Sequence, residues 1–179
     1  TVPMEAYPVE NTKYRVNNTI ECGGGPASNA AYLLGKWGIE TYFAGVVGND
    51  DYGKKIKKEF KDIGVDTTYL ELDSKSRTTL SFIINNQKNG TRTVFTNKFK
   101  NKELSKNIEL TPDIILMDGE ELNFSKKILK SNPDAISIID AGRVNDNVVE
   151  LAKLSDYVVC TKTFAEEYTN IRINIQDSD

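Results

Sequence analysis

The stretch CGGGPASNAAYLLGKWG, residues 22–38, places three consecutive glycines directly before an alanine-rich segment. Pro26 is typical of a first helical position and Gly38 of the residue after a helix end, so the stretch predicts a helix over 26–37. Three glycines in a row are costly in chain entropy. They would let a ligand approach the backbone, where the free N–H groups of the first helical turn meet its oxygens. Asn29 adds a donor and an acceptor suited to a hydroxyl-rich ligand; the alternative is a tight turn with an asparagine at the helix start.

The composition of the chain argues against nucleic acid as a partner and against a membrane-spanning segment. The 179 residues carry a net charge of −3, with an isoelectric point near 5.2, so no basic field favours nucleic acid. No apolar run approaches membrane-spanning length. Lysines cluster at 54–61 and 98–106, a pattern typical of a solvated helix face and a loop.

The chain has no histidine, which excludes a Ser-His-Asp triad, a Cys-His pair and a His-ligated zinc. Cys22 and Cys160 are isolated, fit no metal spacing and are typical of reduced residues, so we expect a cytoplasmic protein without a cysteine metal site. Catalysis would have to use Asp, Glu, Lys, Arg, backbone N–H groups or a hard cation.

Apolar strands alternate with amphipathic helices along most of the chain, which predicts an α/β fold whose parallel sheet has helices on both faces. The predicted strands lie at 12–20, 41–47, 67–72, 77–85, 91–97, 113–118, 135–140 and 156–160. The predicted helices lie at 26–37, 51–63, 120–131, 144–154 and 163–169.

The alternation of predicted strands and helices is interrupted between residues 67 and 97, where strands follow one another without a helix. The loop 86–90, NQKNG, suits a hairpin between 77–85 and 91–97. We therefore expect an antiparallel flap built from 67–97, over a core formed by 21–66 and 108–179. An exposed flap edge would also favour pairing with a second copy, and hence a homodimer.

A dinucleotide-binding fingerprint is the rival interpretation of the glycines. Gly23 and Gly25 supply its first two positions, but Ser28 stands where the third glycine belongs, and no strand precedes them at the right distance. The whole stretch instead resembles the N-terminal signature of the ribokinase-like (PfkB) family of carbohydrate kinases. The matching positions are Gly24, Gly25, Ala27, Asn29, Ala31, Gly38 and Gly48, followed by Asp50, Gly53, Gly64 and Val65.

The resemblance implies a Rossmann-like, ribokinase-like core, a small β-sheet lid over a sugar, and transfer of phosphate from ATP, with Mg²⁺, to a hydroxyl. By resemblance, the predicted flap together with 12–20 corresponds to that lid. By resemblance, the backbone of Gly23, Gly24 and Gly25 and the side chain of Asn29 hold substrate hydroxyls. Asp118 falls where a further polar contact is common, although DGEE (118–121) could equally be an acidic cluster capping a helix.

Two arginines are candidate clamps for the carboxylate of an acidic sugar. Arg143 follows Asp140 in DAGR, residues 140–143, at a predicted strand end, and Arg92 lies on the flap. For Arg143, an ordinary exposed surface arginine is the alternative.

The family's phosphate-transfer motif, Gly-Ala-Gly-Asp, is not found in the sequence, so no catalytic residue is assigned within it. Where the family has Asn-x-x-Glu near its magnesium and phosphates, the chain has TKTF, 161–164, with Thr161 and Phe164 at the two motif positions. Asp140, Thr161 and Glu166 are the candidates for the phosphate and metal vicinity. We expect the chain to be the sugar-binding and lid portion of a longer kinase, cut short of its nucleotide half.

Three functions remain open at this stage. The first is part of an ATP-dependent kinase for a sugar, keto-deoxy acid or nucleoside. The second is a non-catalytic sugar- or nucleoside-binding protein of the same fold. A nucleotide-dependent oxidoreductase is the third, but it would need a nicotinamide site that the sequence does not reveal.

Overall fold

The computed structural model describes residues 1–99 and 101–174. Lys100 of the second lysine cluster and residues 175–179 of the predicted core lie outside this part. The strands are β1 (Val2–Met4), β2 (Gly45–Gly48), β3 (Leu70–Asp73), β4 (Leu80–Asn86), β5 (Arg92–Asn97), β6 (Ile114–Met117), β7 (Ile136–Ala141) and β8 (Tyr157–Cys160). The helices are α1 (Pro26–Lys36), α2 (Asp51–Asp62), α3 (Leu122–Ser131), α4 (Asp146–Ala152) and α5 (Lys162–Thr169).

The first two predicted helices are confirmed with their predicted starts, and each ends one residue earlier than predicted. α1 begins at Pro26, and Gly38 follows its end with a φ of 72°, which favours glycine. α2 begins after Asp50, whose side chain accepts a hydrogen bond from the Gly53 N–H. Gly64 ends that helix with a φ of 82°.

Two parallel sheets form the α/β core. β2 pairs in parallel with β3, and β6, β7 and β8 form a parallel sheet in that order. Ala31, Phe60, Val65 and Leu70 are buried together between the first pair of strands and helices α1 and α2. A second buried cluster joins β6 and β7 to α3, α4 and α5, with Ile139 and Leu151 at 0% exposure.

The helices α3, α4 and α5 pack against one face of the β6–β8 sheet. In the part of the chain that the structure describes, apolar side chains of the opposite face are exposed. They are Ile114, Leu116, Ile136, Tyr157 and Val159, which we call the bare sheet face.

The flap differs from its prediction in two places. β3 is not part of it, because its partner is β2 and Leu70 is 1% exposed in the core. No strand forms at 12–20. Every residue there is exposed, so neither face of an alternating strand would be buried. Ile20 exchanges two backbone hydrogen bonds with Thr1.

The antiparallel hairpin of β4 and β5 is confirmed, with Leu80 opposite Asn97 and Asn85 opposite Arg92. Its third strand is β1, which pairs in parallel with β4. We call the sheet β1–β4–β5 the lid sheet.

Candidate sugar-binding site

The three glycines before α1 have different structural requirements. Gly25 is the N-cap residue, and its φ of 110° is a conformation that side-chain-bearing residues rarely adopt. Its carbonyl accepts the Asn29 N–H at 2.8 Å. Gly23 donates its N–H to Glu59 Oε2 of α2 at 3.3 Å, so this N–H already has a partner within the chain, which weakens the prediction that it binds substrate.

Gly24 has no structural requirement for glycine among the described residues. A Cβ added there meets no heavy atom within 4 Å, and its φ lies outside the left-handed region. The residue is exposed. Open space beside the start of a helix is therefore the property that glycine preserves at this position.

Asn29 lies in the first turn of α1 and is exposed. No hydrogen bond from its side chain to another described residue is found. Its amide thus keeps both donor and acceptor capacity for a ligand.

Asp118 follows β6 and lies beside the first turn of α1. Its Oδ2 accepts the Ala27 N–H at 3.3 Å, and its Oδ1 accepts the Glu120 N–H at 3.2 Å. Burial raises the pKa of Asp118, its two hydrogen bonds partly offset that rise, and the charges of Glu120 and Asp140 raise it further. The fold therefore joins the glycine segment to a desolvated carboxylate from a strand 91 residues away.

The base of the lid sheet is tied to the carboxyl end of β2. Asp50 accepts hydrogen bonds from the Thr78 N–H at 2.9 Å and from the Thr78 hydroxyl at 2.7 Å. The same hydroxyl accepts the Gly48 N–H at 3.1 Å. Burial alone would raise the pKa of Asp50, but the hydrogen bonds from Thr78, Gly53 and Tyr52 lower it.

Glycines at this junction permit close packing. A Cβ on Gly53 would stand 2.0 Å from the Gly48 carbonyl oxygen, and one on Gly48 would stand 2.7 Å from the Thr78 nitrogen. Neither position tolerates a side chain without a backbone shift.

The two candidate arginines are both exposed. Arg143 follows β7 with its side chain 79% exposed, and its guanidinium lies 3.9 Å from Glu167 of α5. Arg92 begins β5 next to the hairpin loop, opposite Asn85. No contact of either arginine with Asn29 or Asp118 is found in the described residues.

Of the three residues predicted near phosphate and metal, Thr161 and Glu166 form hydrogen bonds within the chain, and Asp140 lies near the carboxyl end of β7. Thr161 caps α5, accepts the Phe164 N–H at 3.0 Å and donates to the Gly142 carbonyl at 2.7 Å. Glu166 accepts the Ile173 N–H at 2.8 Å, and Phe164 is 4% exposed in the core. Within 1–99 and 101–174, no group of three His, Cys, Asp or Glu residues could hold a metal.

Comparison with known protein families assigns this chain to one of them. The sequence model described as pfkB family carbohydrate kinase matches residues 2–171. The chain belongs to this family. The interpretation drawn from residues 22–67 is confirmed.

Curated relatives are similar over short segments. Aminoimidazole riboside kinase of Salmonella typhimurium is 36% identical over 76 residues, which cover 42% of this chain and 24% of that protein. Ribokinase of Haemophilus influenzae is 33% identical over 60 residues, which cover 34% of this chain and 20% of that protein.

Solved structures extend the likeness over nearly the whole chain. A putative ribokinase from Agrobacterium tumefaciens superposes with a TM-score of 0.80 at 23% identity, covering 96% of this chain and 58% of that one. Arabidopsis thaliana ribokinase, solved with ribose and ATP, superposes with a TM-score of 0.72 at 21% identity. The superposition covers 94% of this chain and 58% of that one. The ribokinase-like fold is thereby confirmed, and the chain spans somewhat more than half the length of these neighbours.

None of the helices formed by the described residues has the length and apolar composition needed to cross a membrane.

Sequence reasoning missed two contacts of the site, those of Glu59 with Gly23 and of Thr78 with Asp50. The asparagine-aspartate pair before α2 is a recognisable N-cap signal, which could have pointed to Asp50. Nothing local to Glu59 could have done so, because its partner lies 36 residues away.

Proposed function

We propose that this chain forms the sugar-binding part of an ATP-dependent kinase that phosphorylates a hydroxyl of a sugar or sugar-like substrate. The observation that carries the proposal is the open space at Gly24, bounded by the start of α1 and followed one turn later by Asn29. Asp118, hydrogen-bonded to Ala27 in that same turn, supplies an acceptor.

The chemistry of binding follows from these groups. A sugar hydroxyl can donate to the Asp118 carboxylate or the Asn29 amide oxygen, while the Asn29 NH₂ and the Gly24 N–H donate to sugar oxygens. The partial positive charge at the start of α1 favours ligand oxygens there. Burial strengthens such bonds by removing competing water.

Relatives suggest the first substrates to test. The similar proteins are named as kinases of aminoimidazole riboside, ribose and fructose. An acidic sugar would require a cation, and Arg143 would have to leave its 3.9 Å contact with Glu167 to bind it. That contact is weak in an exposed pair, so it would cost little.

ATP is the proposed phosphate donor, supported by ribokinase neighbours solved with ATP or ADP, and Mg²⁺ is proposed with it. Thr161 and Glu166 are engaged within the chain, so we assign neither nucleotide nor metal to them. Groups that activate the hydroxyl and receive the phosphoryl charge are not assigned within the described residues.

The lid sheet is proposed to close over the sugar and to support a homodimer. Phe82 and Phe95 stand opposite each other on one face of the hairpin and are 59% and 52% exposed. Paired exposed aromatics favour burial against a second surface. We also propose a cytoplasmic location, because Cys22 and Cys160 are free and exposed.

The experiment is a calorimetric titration of the purified chain with ribose, fructose and aminoimidazole riboside. For the sugar that binds, Gly24→Ala should weaken affinity by about tenfold or more while leaving the melting temperature intact, because the added methyl fills ligand space. Gly45→Ala is the matched control, since its Cβ would meet only the Phe43 ring at 3.6 Å. Equal affinity in parent and Gly24→Ala would contradict the proposal.

Asn29→Ala tests the side chain of the same site. It should weaken sugar binding by about 1–3 kcal/mol, because buried hydroxyls lose a partner. Asn107→Ala, on an exposed connector residue, should leave affinity unchanged. Unchanged affinity in folded Asn29→Ala would remove this residue from the site.

A non-catalytic binding protein of the same fold is the second candidate. Phe164 lies in the core at a position where the family resemblance predicted a metal-linked carboxylate, which favours binding without transfer. Sugar binding without ADP formation by the full-length coding product would support this second function.

A further inference from the structure

The two lysine-rich segments of the sequence meet in the fold. Lys57 and Lys61 lie four residues apart on α2, so they share a helix face. With residues 64–68 they line a cavity of about 460 Å³. Lys106, from the connector before β6, donates to the carbonyl of Thr68 in the wall of this cavity.

Most other lysines of these segments have acidic partners. Lys55 pairs with Glu21, Lys58 with Asp62, Lys98 with Glu120 and Lys102 with Glu71. For Lys57, Lys61 and Lys106, no ion pair is found among residues 1–99 and 101–174. Lys54 forms none there either, but among the described residues Lys57, Lys61 and Lys106 are the unpaired lysines that lie at or beside the cavity.

The local electrostatics agree with this geometry. Lys57 is half-buried, and burial together with the charges of Lys61 and Lys106 lowers its pKa. Asp66 also lines the cavity, but its Oδ1 accepts the Thr68 N–H at 2.6 Å. Three positive charges against one negative charge leave a surplus that an anion would neutralise.

A structural role explains only one of the lysines. Lys61 lies in the last turn of α2, where a cation complements the helix dipole. This account leaves out Lys57, a turn earlier and half-buried, and Lys106, which comes from another segment.

We propose that this cavity binds the phosphate group of a small phosphorylated molecule. A phosphate dianion offers several strong acceptor oxygens to converging ammonium donors. The cavity wall adds Thr67 and Thr68, whose side chains carry hydroxyls. The cavity is a depression largely open to solvent, with room for a small phosphate ester.

The proposed phosphate site is separate from the sugar site. The glycine segment meets α2 at Glu59, whereas the proposed phosphate site uses Lys57 and Lys61 of the same helix. Residues two apart in a helix do not share a face, so the two sites lie on different faces of α2. The proposal therefore does not depend on the proposed kinase function.

The test is an amide NMR titration of the full chain with inorganic phosphate and, in a second arm, ribose 5-phosphate. Saturable shifts are expected at the amides of residues 64–68, with chloride at equal ionic strength as the reference. Lys57→Gln and Lys106→Gln should each weaken binding by about tenfold. Lys54→Gln is the matched control, because it removes the same charge from an exposed position of α2.

The titrations distinguish a phosphorylated metabolite from free phosphate, and both from the absence of a phosphate site. Tighter binding of ribose 5-phosphate than of phosphate supports a phosphorylated metabolite, and equal binding supports free phosphate; both sustain the site. Shifts that never saturate, that chloride reproduces, or that Lys54→Gln weakens as much as Lys57→Gln overturn it. Stronger shifts with a poly-glutamate peptide than with either phosphate would overturn it in favour of an acidic protein partner.

Discussion

At the scale of single residues, the glycines before α1 illustrate how one residue type meets different needs. Gly25 supplies a positive φ of 110° at the helix start. Gly23 lets its N–H approach Glu59. Gly24 meets neither requirement and leaves space, which is why we place the ligand there.

Asp118 is a residue whose contributions to stability and to binding should have opposite signs. Burial raises its pKa, so the ionised form is less stable in the folded chain than in the unfolded chain. The folded state therefore loses stability as pH rises from below the ordinary Asp value through the raised pKa. Asp118→Asn removes this loss and keeps an oxygen for the Ala27 N–H.

We accordingly expect Asp118→Asn to melt higher than the parent at pH 7, with the difference shrinking toward pH 3, and to bind sugar more weakly. Thermal melts across pH and a sugar titration at pH 7 measure the two effects. Asp113→Asn, at an exposed position, is the control. A variant that melts lower than the parent at pH 7 would show that ionised Asp118 stabilises the fold.

At the scale of elements, Asp50 connects α2 to the lid sheet. Its carboxylate caps the helix at Gly53 and accepts both hydrogen bonds from Thr78. Asp50→Ala should lower the free energy of unfolding by about 1–2 kcal/mol through the lost cap alone, and by more because Thr78 loses its acceptor.

Urea unfolding of Asp50→Ala and Asp51→Ala checks this prediction. Asp51 lies in the same helical turn but is exposed, so its removal should cost about 0.5 kcal/mol from the helix dipole. Similar losses in the two variants would mean that the contact with Thr78 contributes nothing.

The β4–β5 hairpin should respond to sugar as a mobile lid. It packs few buried side chains, and Phe82, Val94 and Phe95 are exposed, which is typical of an element that opens at low free-energy cost. Closure would exclude water from the sugar. Hydrogen exchange with and without sugar is the measurement, and residues 80–97 should gain protection while β7 stays unchanged. Equal protection in both states would contradict a moving lid.

At the scale of the whole molecule, the bare sheet face determines how the chain behaves in solution. Parallel sheets normally bury both faces, yet Leu116 is 39% exposed and Val159 61% exposed. Exposed contiguous apolar surface favours association.

Residues 1–179 by themselves should form no ADP with any sugar and ATP. The sugar-side groups are present, but Thr161 and Glu166, two of the residues predicted near phosphate, are engaged elsewhere. Loss of one oxyanion-type donor typically costs about 10²–10³ in rate. A coupled assay of ADP release is the test, with Arabidopsis ribokinase as the positive control. Sugar-dependent ADP above the no-enzyme level would refute this, and Asp118 and Asp140 would then be substituted first.

What the sequence by itself determined is local. Pro26, Gly38 and Gly64 set the bounds of α1 and α2, because helix ends depend on the residues that occupy them. The alternation of apolar strands and helices predicted the parallel core. The motif positions within residues 22–67 indicated the family. Asp118 was a candidate through the family resemblance, and its contact with Ala27 of α1 emerged only from the fold.

Only the tertiary structure decided which distant residues meet. β3 pairs with β2 and β1 with β4, because strand pairing depends on partners that the local pattern does not name. Gly23 finds Glu59 across 36 residues, and Lys106 reaches Thr68 across 38. The role of a side chain depends on its neighbours in space. Residues 12–20 form no strand, because no buried face was available to them.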